Sequence, residues 1–161
     1  MSKRVAIAAG ICVLSATMGF AQTAKKPTAA RRMAKSGVSE TLMHHEEAML
    51  RAVEKKDWTA FKKYVAAEGW NLDENGAMSV ADFLKATTDP KFDLSVQMKA
   101  SDMKVVNVDA NSKLVTYKLE QNGSMMGQPF PPLVYATTVW VNHGGTWTAL
   151  FHQESKAADR K

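Results

Sequence analysis

The sequence predicts an α+β domain in which helices come first and a strongly curved antiparallel sheet follows. Three observations carry this. Helical periodicity runs from Ser39 to about Asp89, and from Leu94 the period changes to two. The chain then ends on two alternating runs, Thr138–Asn142 and Thr146–Gln153, each with a Trp, flanking Gly144-Gly145 as a β-hairpin. With 161 residues there is room for one domain with its own core.

The N-terminus reads as a targeting segment. Lys3 and Arg4 precede an apolar stretch from Val5 to Phe20, and Gly19-Phe20-Ala21 offers small residues for cleavage after Ala21. A membrane helix is the competing reading, but Ser15, Thr17 and Gly19 interrupt a stretch already shorter than the roughly 20 residues a span needs. The expected organisation is a signal peptide at 1–21, a flexible basic arm at 22–38, the domain at 39–155 and a flexible tail at 156–161. This makes the protein periplasmic or secreted, with no stable membrane insertion after processing. Its single cysteine, Cys12, would leave with the signal, so the mature chain folds without disulfides. The bulky Ile11 before it argues against lipid attachment. The net charge of +5 resides in the ends: from Ser39 to Ser155 there are 11 Lys and Arg against 15 Asp and Glu. The arm, with Lys25, Lys26, Arg31, Arg32 and Lys35, is either a solvated linker or a contact for anionic lipid or nucleic acid. Nothing in the body supports nucleic-acid binding.

Within the domain, Leu42, Met49, Leu50 and Val53 form one face of a first helix over Ser39–Lys56. Asp57 is the expected N-cap of a second helix, Trp58–Ala67, with Phe61, Tyr64 and Val65 apolar and Gly69 at its end. Trp70-Asn71-Leu72 is a short extended piece and Asp73-Glu74-Asn75-Gly76 a turn. Ser79 and Asp82 form a capping box for a third helix that ends at Asp89-Pro90. Strands are expected at Leu94–Met98, Met103–Val108, Leu114–Gln121, Leu133–Val141 and Thr146–Gln153. The Pro- and Gly-rich connection from Asn122 to Pro132 is read as irregular and as a rim to an opening.

The order Glu47-Ala48, Lys56-Asp57, Asp73 to Gly76, Thr116-Tyr117, then Thr138-Val139-Trp140-Val141, Gly144-Gly145, Trp147 and His152-Gln153 resembles the NTF2-like superfamily, and within it the SnoaL-like (DUF4440) group. The resemblance covers about Ser39 to Ser155, with the hairpin as its specific part. It implies a cone enclosed by helices and curved sheet. Relatives of that fold include steroid isomerases, dehydratases, epoxide hydrolases and polyketide cyclases, which place acid/base residues in the cone. The chain is also similar to the association domain of calcium/calmodulin-dependent kinase, which has the same Trp-to-Trp spacing and does no chemistry.

Glu46 is the candidate catalytic residue. It falls between Leu42, Met49 and Val53, and a carboxylate in an apolar stripe must be paired, face a wet cavity or take up a proton. Facing the cavity it suits acid/base work; otherwise it forms an ion pair, with Lys118 as the named partner. Glu46, Asp73 and Tyr117 are the acidic and phenolic groups that the steroid-isomerase resemblance singles out. With an even-length turn at Gly144-Gly145, Trp140 shares a face with Ala136, Thr138, Trp147, Ala149 and Phe151, while Tyr135, Thr137, Val139, Val141, Thr148, Leu150 and His152 share the other. The first face is assigned to the pocket, giving Trp70, Lys118, Thr138, Trp140, Trp147 and Phe151 as candidate ligand contacts, although both Trp rings would equally serve as core. The second face, flat and β-branched, is assigned to a homodimer contact. His152 is read as a tether at a strand end and as a weaker candidate base than Glu46. His44 and His45 diverge by about 100° on a helix and do not chelate one ion, so neither metal nor cofactor is expected. The expected function is binding of a small, largely apolar molecule, with or without isomerase-, dehydratase- or cyclase-type turnover; the alternative is a non-catalytic association domain.

Overall fold

The computed structural model describes residues 29–158, with side chains from Gly37 onward. The expected signal segment and the first part of the arm lie outside the described residues. The first helix, α1 (Ala29–Glu54), begins ten residues before Ser39, so the last part of the segment read as a flexible arm is helical. Leu42, Met49, Leu50 and Ala52 are its buried face. The helix stops where Lys56 takes φ 54° and the Asp57 N–H donates back to the Ala52 carbonyl at 2.8 Å.

Asp57 caps α2 (Trp58–Phe61), its carboxylate accepting from the Ala60 N–H at 2.9 Å. The helix expected to reach Ala67 lasts a single turn. From Val65 the chain forms β1 (Val65–Asp73), because a long-range ladder competes for its backbone groups: Ala149 N–H donates to the Tyr64 carbonyl at 2.7 Å, and Val65 pairs in parallel with Ala149. Gly69 therefore ends no helix. A Cβ there would lie 2.9 Å from the Ala66 carbonyl oxygen and 3.2 Å from that of Leu150, so glycine permits the close approach of β1 to its neighbour.

The predicted turn and capping box both form. Asp73 accepts from the Asn75 N–H and leads into β2 (Gly76–Ser79), and Ser79 Oγ accepts from the Asp82 N–H to start α3 (Val80–Ala86). The two strands expected over 94–108 are one, β3 (Leu94–Asn107), kinked where the register slips between Ser101 and Lys104 and Asp102 takes φ 55°. It pairs with β4 (Ser112–Met125), which runs further than expected into the connection read as irregular; β5 (Gln128–Pro129) folds back on its end. The chain closes with β6 (Leu133–His143) and β7 (Thr146–Lys156).

The sheet runs β2-β1-β7-β6-β4-β3. It is mixed, not wholly antiparallel as expected, because β1 lies parallel to β7. α1 crosses the concave face, where Leu42, Met49 and Leu50 pack with Val115, Tyr117, Leu119, Val134, Ala136, Trp140 and Ala149. Among the described residues, no helix is long and apolar enough to cross a membrane.

One irregularity changes the reading of the terminal hairpin. Trp140 pairs with Ala149, but the next residue back, Val139, pairs with Phe151, leaving Leu150 as a bulge. One extra residue exchanges the faces beyond it. His152 therefore stands opposite Thr138 on the concave side, and Phe151 stands opposite Val139, contrary to the even alternation that grouped Phe151 with Trp140.

Candidate functional site

Glu46 is fully buried, and every contact it makes is a donated hydrogen bond. Tyr117 Oη donates to Oε1 at 2.8 Å, Thr138 Oγ1 to the same oxygen at 2.7 Å, and Trp140 Nε1 to Oε2 at 2.7 Å. Three donors around one carboxylate match its ionised form, which only accepts. Burial, followed by the charge of Glu46, holds the Tyr117 phenol well above its ordinary range, so it stays a donor.

The network continues outward with a defined polarity. Thr138 spends its hydroxyl hydrogen on Glu46, so its oxygen accepts from His152 Nδ1–H at 2.9 Å. This leaves His152 Nε2 facing Glu154 Oε1 at 3.3 Å, while Glu154 Oε2 accepts from Gln121 Nε2 at 3.1 Å. With Nδ1 already protonated, a further proton is shared between Nε2 and Glu154. Burial alone would lower the histidine's pKa, but the hydrogen bond to Glu154 and the charges of Glu46, Glu154 and Asp73 outweigh it and raise it. Burial would likewise raise Glu154, and its bonds to His152 and Gln121 lower it instead. Each partner thus favours the charged form of the other.

His152, Glu154 and Gln121 border a cavity of about 530 Å³ between the sheet, α1 and α3. Met49, Phe61, Phe83, Leu94, Val96 and Met98 supply much of its apolar wall, and Asn71 and Asp73 join the polar side. Its rim includes Met125, Met126, Phe130 and Pro131, so the 122–132 connection does border an opening.

The predicted residues divide between this cavity and its surroundings. Trp70 and Phe151 border it. Glu46, Thr138 and Trp140 come together as the buried hub behind His152, outside the cavity lining. Trp147 is half-buried at the far end of the hairpin, with Lys113 Nζ 5.3 Å from its ring centre. Lys118 is not the partner of Glu46: it pairs with Asp102 at 2.7 Å, at the bulge of β3. The carboxylate is stabilised by hydrogen bonds from its own face of the sheet, and Lys118 points to the opposite one. His45 packs against Tyr64 and Trp140, and among the described residues no group of three or more metal-ligating side chains forms a site.

Glu154, Gln121 and Asn71 were missed by sequence reasoning, and His152 was ranked behind Glu46 as a base. Ending the last strand at Gln153 hid the signal: His152 and Glu154 are two apart on one strand and so share a face.

Comparison with solved structures agrees on the architecture. An NTF2-like protein from Cytophaga hutchinsonii superposes with a TM-score of 0.65 at 15% identity, over 73% of this chain and 97% of that one. The fold is NTF2-like. The same fold is shared with a type 2 hexachlorocyclohexane dehydrochlorinase (TM-score 0.63, 10% identity, covering 79% of this chain and 90% of that one). It is also shared with the association domain of the calcium/calmodulin-dependent kinase II of C. elegans (TM-score 0.61, 12% identity, 76% and 98%). No protein-family model and no curated protein matches the sequence.

Proposed function

We propose that this NTF2-like domain binds a small, largely apolar molecule in the cone and moves a proton on it through the His152–Glu154 pair. This is a reaction of the isomerase, dehydratase or cyclase type. The observation that carries the reading is the pair itself, whose side chains are 17% and 19% exposed at the wall of a largely apolar cavity. Glu154, kept ionised, takes the proton, and the His152 imidazolium returns one. Glu46 acts from behind as a positioning residue, setting through Thr138 which ring nitrogen faces the cavity. Native mass spectrometry of the folded chain purified from its own host tests the binding: a retained small molecule, released on unfolding, is expected. A ligand-free protein with no thermal shift across a panel of small apolar compounds would refute it.

The kinship of fold with a kinase association domain favours a second property, assembly. We infer a homodimer through the outer face of β6, where Tyr135 is 48% exposed and Thr137, Val139 and Val141 are partly covered. Sedimentation at micromolar concentration should give a dimer, and Val139→Lys a folded monomer; a wild-type monomer would overturn this. Export remains part of the proposal, resting on Lys3, Arg4 and the Gly19-Phe20-Ala21 site. A mature N-terminus at Gln22 is expected in the extracytoplasmic fraction of the native host.

A further inference from the structure

The charged groups on the polar side of the cavity are carboxylates and one histidine. Among the described residues, no lysine or arginine borders it, while Asp73, Glu74 and Glu154 do. Three neighbouring donors are already committed to two of those carboxylates. Gln121 gives its amide to Glu154, Asn71 reaches Asp73 Oδ2 at 3.4 Å, and the Asn75 N–H holds Asp73 Oδ1 at 2.7 Å. His152, the titratable cation of the wall, has Nδ1 on Thr138 and Nε2 toward Glu154.

The ladder brings two of these carboxylates to adjacent positions. Asn71 pairs with His152 and Leu72 with Gln153, so Asp73 and Glu154 are the next residues on neighbouring strands. Each carboxylate oxygen retains lone-pair capacity beyond the single bond it accepts. With Glu46 behind Thr138, three negative groups surround one positive group already in use. An anionic ligand would meet this charge with no free cation to receive it, whereas a protonated nitrogen would find spare acceptors. Phe61, Phe83 and Phe130 line the same cavity, and aromatic side chains there favour a cation.

We propose that the cavity selects an apolar amine, a protonated nitrogen on a hydrocarbon or aromatic body. The inference rests on the reading that the cone binds a small molecule, and it adds the class of head group.

Titration calorimetry of the full chain at neutral pH, with phenylbutylamine, phenylbutanol and phenylbutanoate as probes, separates the two claims. The three share one body and differ only in the charge of the head. The amine is expected to bind tightest and the carboxylate weakest, at least about tenfold apart, with the gap narrowing at high salt. Equal or tighter binding of phenylbutanoate would overturn the amine proposal while leaving a small-molecule cavity intact; no binding of any probe would defeat both. In Asp73→Asn/Glu154→Gln the preference for amine over alcohol should fall to about one, and an undiminished preference would overturn the assignment to these carboxylates. If the double variant does not fold, Asp73→Asn alone carries the test: asparagine still accepts from the Asn75 N–H, and the preference should fall part of the way.

Discussion

Glu46 and Glu154 lie at the two ends of one hydrogen-bonded chain, separated by Thr138 and His152, and they do different work. At the buried end three neutral donors hold Glu46, and no solvent reaches it. At the cavity end Glu154 shares a proton with His152, and both side chains keep some exposure. Side-chain chemistry is the same at both ends, so access separates them. A dry carboxylate held by three donors orients its neighbours, and one that still meets the cavity can exchange a proton with what enters it.

The largest expected effect comes from the buried end. Glu46→Ala strands the Tyr117, Thr138 and Trp140 donors, each of which costs about 1–3 kcal/mol when left unsatisfied. Urea unfolding should show a loss of at least about 3 kcal/mol. Glu46→Gln is milder and more telling. An amide oxygen in place of Oε1 keeps Tyr117 and Thr138, but the NH₂ then faces the Trp140 N–H, donor against donor, and about 1–3 kcal/mol should go. An unchanged midpoint in Glu46→Gln would break the comparison, because it would mean that the Trp140 bond does not hold the hub together.

A smaller effect, dependent on pH, belongs to the cavity end. Glu154 is held below its ordinary value of 4.5, so its contribution is complete above that pH and is lost as the pH falls through the lowered folded value. His152 is held above its ordinary 6.5, so its contribution is complete below 6.5 and is lost as the pH rises through the raised folded value. The pair therefore stabilises most between about 4.5 and 6.5. Thermal unfolding of wild type and Glu154→Gln across the pH range should show the widest gap in that window and convergence on both sides. A gap that does not vary with pH would show that Glu154 acts through packing alone.

The smallest effect is expected on the outer face. Lys118→Ala removes the ion pair with the exposed Asp102, where solvent already screens both charges, and should leave the unfolding midpoint unmoved at physiological salt. A marked loss there would mean that the outer face contributes more than the comparison of Glu46 with Glu154 allows.

The sequence by itself determined the periodic elements and the oddity of Glu46. The stripe of α1, the caps at Asp57 and Ser79, the Asp73 turn and the terminal hairpin are local. Each depends on side chains acting within a few residues, so their spacing is legible. The position of Glu46 within an apolar stripe was equally legible, since helical geometry alone puts it there. Its partners were not, because Tyr117, Thr138 and Trp140 lie 71 to 94 residues away and reach it only through strand pairing. The start of β1, Val65–Ala67, is read as helix because the ladder that makes it a strand is with β7, at the other end of the chain. Tertiary structure also decided which histidine matters. Alternation read from the turn sends His152 to the outer face, and a single bulged residue at Leu150 returns it to the cavity. Period-two patterning carries no mark of such an insertion, because the bulge is settled by how β7 fits between β1 and β6, not by any residue within it.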